Sequence, residues 1–155
     1  MTIEEKVVKL LIEREMSVTT AESCTGGLLA GTILNVSGAS AVYNEGHITY
    51  SNDAKERILG VNHETLVAYG AVSKQTAAEM AKGAAKVAGA DVALSTTGIA
   101  GPGGGTIEKP VGLIYIGCHV GEETSVIELR LSGTREENRK HTVTEALQML
   151  YKKLV

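Results

Sequence analysis

Ser23 stands in the run Ala21-Glu-Ser-Cys-Thr-Gly-Gly27, between a β-prone stretch and an apolar run, Leu28-Leu-Ala-Gly-Thr-Ile-Leu34, that resumes at helical spacing. A hydroxyl at a strand-to-helix turn, with two glycines just after it, suits a nucleophile, because amides at the helix start can stabilise an anion formed beside it. The plainer alternative is that Ser23 or Thr25 caps the helix. A hydroxyl nucleophile also needs a base. The sequence has no GxSxG elbow, no SxxK step around Ser23 and no convincing His-Asp pair, which argues against a histidine-dependent triad.

Tyr50 ends a short predicted strand, Gly46-His-Ile-Thr-Tyr50, and Lys55 falls one turn inside the helix that Asn52 opens. A phenol and an ammonium could thus share a pocket, with either able to act on a proton once its pKa is displaced. The alternative is an exposed strand-end tyrosine and a solvated lysine. A second candidate is the loop Thr97-Gly-Ile-Ala-Gly-Pro-Gly-Gly-Gly-Thr106, which follows a buried strand. Its amides, at Gly98, Ala100, Gly101 and Gly103, could cradle a phosphate or a carboxamide, although it is neither a Walker loop nor GxGxxG, and a flexible connection would look the same. Arg135 and Arg139, one turn apart at the start of the last helix, could form a cationic face for a phosphate or be an ordinary solvated pair.

The bulk properties exclude several other chemistries. The four histidines show neither HxH nor HExxH spacing and the acids form no ligand cluster, so no metal and no cofactor are expected. A net charge of −3, with neither Trp nor Phe, offers no basic footprint and no stacking platform, so no nucleic-acid partner is expected. Cys24 and Cys118 lie far apart and outside any CxxC, no export signal opens the chain, and no apolar run approaches the roughly 20 residues of a membrane span. A cytoplasmic protein is expected.

These candidates need a frame to hold them. Capping boxes at Thr2-x-x-Glu5 and Thr134-x-x-Glu137 predict the first and last helices, and Ser73 predicts the cap of an alanine-rich helix closed by Gly89. Strands are predicted over residues 17–21, 46–50, 91–97, 111–120 and 125–131, interleaved with helices and without a linker or repeat. The expectation is one domain over residues 1–155, a three-layer α/β/α fold on a mixed, largely parallel sheet.

Taken together, Ala21-Glu-Ser-Cys-Thr-Gly-Gly27, Gly46-His-Ile-Thr-Tyr-Ser-Asn52 with Lys55, Tyr69-Gly-Ala-Val-Ser73, Thr97-Gly-Ile-Ala-Gly-Pro102 and Lys109-Pro-Val-Gly112 resemble the CinA C-terminal domain family in order along nearly the whole chain. Members of that family include stand-alone nicotinamide mononucleotide amidohydrolases, which form nicotinic acid mononucleotide and ammonia. Others are fused behind a second domain and are named for competence and damage induction. The resemblance implies that Ser23, Tyr50 and Lys55 are catalytic, with Ser23 as nucleophile, the Lys55 and Tyr50 pair as base, and amides of residues 24–27 or 98–101 around the oxyanion. For the nucleotide, the expected binding residues are Thr25, Gly26, Gly27, Gly98, Ala100, Gly101, Gly103, Arg135 and Arg139. One departure from the family pattern stands at Tyr43 and Asn44, where an aromatic Phe or Trp is frequent.

The leading expectation is therefore an amidase of nicotinamide mononucleotide in pyridine nucleotide salvage, its partner a small nucleotide substrate. The alternative is a non-catalytic nucleotide-binding regulatory module linked to competence or DNA damage. A dehydrogenase using Ser, Tyr and Lys is disfavoured by the five-residue Tyr50–Lys55 step and the missing glycine motif after the first strand. Alanine-rich faces favour a homo-oligomer, with a dimer as the simplest form.

Overall fold

The computed structural model describes residues 1–155. Helix α1 (Ile3–Glu13) starts at the Thr2 capping box and buries Val7, Val8 and Leu11. Strand β1 (Val18–Glu22) is buried along its whole length and leads through a tight turn into α2 (Leu28–Leu34). A 3-10 turn at Ala39–Ala41 and the two-residue β2 (His47–Ile48) follow, then α3 (Asn52–Leu59) and α4 (His63–Tyr69). Helix α5 (Lys74–Ala88), capped by Ser73 and closed by Gly89, precedes β3 (Val92–Gly98). Strands β4 (Leu113–Val120) and β5 (Glu123–Arg130) form a hairpin, and α6 (Arg135–Leu154) ends the chain from the Thr134 capping box.

The strands form one sheet in the order β2-β1-β3-β4-β5. The β2–β1 and β1–β3 pairs are parallel, whereas β3–β4 and β4–β5 are antiparallel. Only β4 runs against the others, so the sheet is mixed as expected. Helices cover both faces. On one side α1, α2 and α6 pack Val8, Leu11, Leu29, Ile33, Leu147 and Leu150 against Val92, Leu94, Ile114 and Ile116. On the other, α3, α4 and α5 pack Leu59, Leu66, Met80 and Ala84 against Ala21 and Ala93. The alternation of β3 explains the division: residues i and i+2 share a face, so Val92 and Leu94 point to the first layer while Ala93 and Ser95 meet the second.

Small residues let α5 lie close to the sheet. Ser95 donates to the Ala77 carbonyl at 2.6 Å, and a Cβ on Gly117 would come within 2.5 Å of that same oxygen. At Gly83 a Cβ would stand 2.0 Å from the Leu59 carbonyl, so α3 and α5 touch almost backbone to backbone. The alanine pattern of α5 thus serves helix–sheet and helix–helix approach within the chain. No helix is long and apolar enough to cross a membrane.

Candidate active site

The C-terminal ends of β1 and β3, the start of α3 and the first turn of α6 converge on a cavity of about 250 Å³ lined by Ser23, Cys24, Tyr50, Lys55, Thr97, Gly98, Ala100 and Arg135, with Ala71 and Val72 at its side. It lies at the strand ends, where ligands bind in open α/β sheets. No acidic side chain lines it.

Lys55 is the buried cation of this site, only 1 % exposed. Ser51 caps α3 by accepting from the Ala54 amide, which sets the helix so that Lys55 turns inward beneath the sheet edge. Its Nζ donates to Ser23 Oγ at 3.0 Å, to the Thr49 carbonyl at 2.9 Å and to the Tyr50 carbonyl at 3.2 Å. All three ammonium protons are therefore placed, yet every acceptor is neutral. Burial lowers the Lys55 pKa from 10.5 to about 8, and the neighbouring Cys24 sulfur offsets only part of the lost hydration. The solvated-lysine alternative does not hold.

When Lys55 loses a proton, the geometry decides where its lone pair goes. The two remaining N–H groups keep the two backbone carbonyls, and the lone pair faces Ser23 Oγ, which then becomes the donor. That is a serine–lysine pair ready to move a proton.

Tyr50 lies elsewhere in the site. β2 stops at Ile48, so Tyr50 belongs to the connection into α3, and the residue is 65 % exposed. Its phenol accepts from Arg135 Nη2 at 3.4 Å at the cavity mouth, whereas only its backbone carbonyl meets Lys55. Arg135 also donates from Nη1 to the Gly101 carbonyl at 2.9 Å, which leaves further N–H groups of its fork unused.

Several predicted binding residues sit differently. Arg139 Nε donates to the Cys24 carbonyl at 2.9 Å and its Nη2 to the Thr25 carbonyl at 3.1 Å, so it braces the turn and does not line the cavity. Thr25 is fully buried, its hydroxyl donating to Glu22 Oε1 at 2.6 Å. Gly26 and Gly27, at φ +55° and +104°, bend the turn outside the cavity lining, where a side chain would be strained. Gly103 is exposed and apart from the lining, while Gly98 and Ala100 are in it and Gly101 supplies a carbonyl to Arg135.

The expected anion site at the start of α2 is already filled. Glu22, 1 % exposed, accepts at Oε1 from the Gly27 and Leu29 amides at 3.2 and 2.8 Å, and at Oε2 from the Ala30 amide at 3.0 Å. Glu22 is not among the residues that the sequence singles out. The signal was present: α2 has a glycine N-cap and no acid in its first turn, so its first amides need an acceptor from elsewhere. Around the cavity the Ala100 amide has no acceptor within the chain and the Cys24 amide meets only its own sulfur, which leaves both as donors to a ligand. Asn138, also missed, ties the glycine loop to α6 by donating to the Ala100 carbonyl at 3.0 Å and the Gly133 carbonyl at 3.1 Å. The Cys24 thiol is no competing nucleophile, since burial pushes its pKa up to about 11.

The profile of the CinA C-terminal domain matches residues 1–154. The chain belongs to this family. A competence-damage inducible protein of Clostridium novyi (strain NT) is 54 % identical over 154 residues, which are 99 % of this chain and 37 % of that protein. One from Thermoanaerobacter sp. (strain X514) is 56 % identical over 153 residues, again 99 % of this chain and 37 % of the relative. The chain thus spans little more than a third of the length of these relatives. Solved CinA structures are of similar length to it. The CinA superfamily protein of Klebsiella pneumoniae 700603 superposes with a TM-score of 0.95 at 36 % identity, covering 98 % of this chain and 95 % of that one. The competence/damage inducible protein CihA of Agrobacterium tumefaciens gives 0.92 at 46 % identity, covering 97 % and 94 %. The α/β fold is that of CinA proteins.

The Tyr43 departure has a packing explanation. Its hydroxyl bonds Thr20 Oγ1 at 2.8 Å, and a Cβ on Gly46 would stand 1.8 Å from it. Gly46 makes room for the phenol beside β1.

Proposed function

We propose that this chain hydrolyses the carboxamide of nicotinamide mononucleotide to nicotinic acid mononucleotide and ammonia, with Ser23 as nucleophile and Lys55 as base. The observation that carries this reading is the 3.0 Å contact between Lys55 Nζ and Ser23 Oγ inside a small cavity, with the lysine held by two carbonyls and depressed in pKa. Family membership and the resemblance of Ser23, Tyr50 and Lys55 to the family's catalytic set support it.

In this reading the neutral Lys55 amine takes the Ser23 proton as Oγ attacks the carboxamide carbon. The Cys24 and Ala100 amides are donors within reach of a tetrahedral oxyanion in this reading. The C–N bond breaks, the Lys55 proton leaves with the nitrogen as ammonia, and an acyl-serine remains. Water then attacks that ester while Lys55 accepts its proton, the carboxylic acid departs and Ser23 regains its hydrogen. Tyr50 and Arg135 stand at the mouth, where the ribose phosphate extends from a cavity sized for a single ring and its amide. Arg135 takes the phosphate in this arrangement, and Arg139 holds the turn from behind.

The test is ammonia release from nicotinamide mononucleotide by purified protein in the presence of a chelator, with Ser23→Ala alongside. Wild type releases ammonia and Ser23→Ala falls by a factor of roughly a thousand or more. Nucleotide binding by an inert wild type would instead establish the regulatory-module reading.

A further inference from the structure

Glu22 does more than fill the α2 N-terminus, because one of its contacts leads back to the nucleophile. Glu22 Oε1 accepts the Thr25 hydroxyl proton at 2.6 Å. Thr25 Oγ1 lies 2.8 Å from Thr96 Oγ1, and since Thr25 has already given its single proton to the carboxylate, Thr96 is the donor of that pair. Thr96 Oγ1 in turn accepts from the Ser23 amide at 3.4 Å, an amide that also donates to the Thr96 carbonyl at 3.0 Å. A directional chain therefore runs from the Ser23 N–H through Thr96 and Thr25 to Glu22, every member buried, with the Cys24 thiol as a further neighbour of Thr96.

The geometry points to Glu22 as a positioning residue for the nucleophile: acting through Thr25 and Thr96, its carboxylate fixes the backbone of Ser23 so that Oγ stays on Lys55. Chain connectivity favours this role over helix capping alone. A capping carboxylate needs only the amides of α2, whereas here the strongest contact of Oε1 is to a hydroxyl whose other partner holds β1 to β3 beside Ser23. Arg139 clamps the same turn from its other side through the Cys24 and Thr25 carbonyls, so the serine sits between two fixed points. A buried hydrogen-bond chain of this kind is rigid because every member is satisfied.

The inference rests on Ser23 being a nucleophile, so its test reads that property without the nucleotide. A small alkyl fluorophosphonate phosphonylates the hydroxyl: the Oγ–P bond forms, the P–F bond breaks with loss of fluoride, and the Ser23 proton passes to Lys55. Labelling rates against pH are compared for wild type, Glu22→Gln, Thr25→Val and Thr25→Ser, each checked for folding by its thermal midpoint. The expected result is a tenfold or greater fall in the plateau rate for Thr25→Val and Glu22→Gln, with Thr25→Ser restoring it. The pH midpoint, set by Lys55 near 8, stays in place. A merely structural loosening would admit water to Lys55 and move that midpoint upward. Wild-type labelling in Thr25→Val, or an upward shift of the midpoint whatever the plateau, overturns the positioning role while leaving the amidase reading intact. A wild type that the reagent does not label overturns both.

Discussion

Lys55 is where burial and chemistry pull against each other. Its pKa of about 8 lies below the ordinary 10.5, so the folded chain gives up its proton before the unfolded one does. Stability accordingly rises with pH between about 8 and 10.5, and below 8 the fold bears the cost of a buried ammonium. Lys55→Met should therefore raise the thermal midpoint at pH 7, by on the order of 2 kcal/mol of stability, while amide hydrolysis falls at least a thousandfold. For the wild type, about a tenth of the molecules carry neutral Lys55 at pH 7, so kcat should climb with pH and level off above about 8. A profile that declines from pH 6 to 8 would remove Lys55 as the base. Ser23 and Lys55 were legible in the sequence chiefly through resemblance, because their 32-residue separation carries no local pattern. The duty of Arg139 was not legible, since a brace and a phosphate ligand have the same spacing on a helix.

At the scale of elements, the helices and β3 to β5 were legible because capping boxes, closing glycines and apolar runs are local signals. β2 was overestimated: its pairing with β1 as a strand ends at Ile48, and the Thr49 amide to Glu22 carbonyl bond at 2.8 Å is the last contact before the chain turns into α3. That early exit places the Thr49 and Tyr50 carbonyls over Lys55, a tertiary effect no strand pattern carries. Gly83→Ala should cost about 2 kcal/mol in urea unfolding, since the new methyl meets the Leu59 carbonyl, whereas Gly31→Ala on the exposed face of α2, with open space around it, should gain up to about 1 kcal/mol.

On the scale of the whole molecule, both helix layers and the strand ends between them build the site, α3 lending Lys55 and α6 lending Arg135, Asn138 and Arg139. The layered fold was legible from alternating strands and helices, but which strand ends meet was not, since it depends on the order β2-β1-β3-β4-β5. Charge is divided in a similar way. The chain carries a net −3, yet the cavity contains Lys55 and Arg135 and no carboxylate. For an amidase this makes the pocket asymmetric toward what enters and what leaves. The incoming carboxamide is neutral, but the acid formed from it can pass its proton to Lys55, which leaves an anion next to an ammonium that has no carboxylate partner of its own. Nicotinic acid mononucleotide should then bind more tightly than nicotinamide mononucleotide below pH 8, and lose that advantage above it, as titration calorimetry on Ser23→Ala can measure. In acid solution an amidase built this way would be held back by its own product, and alkalinity would free it by releasing product as well as by readying the base.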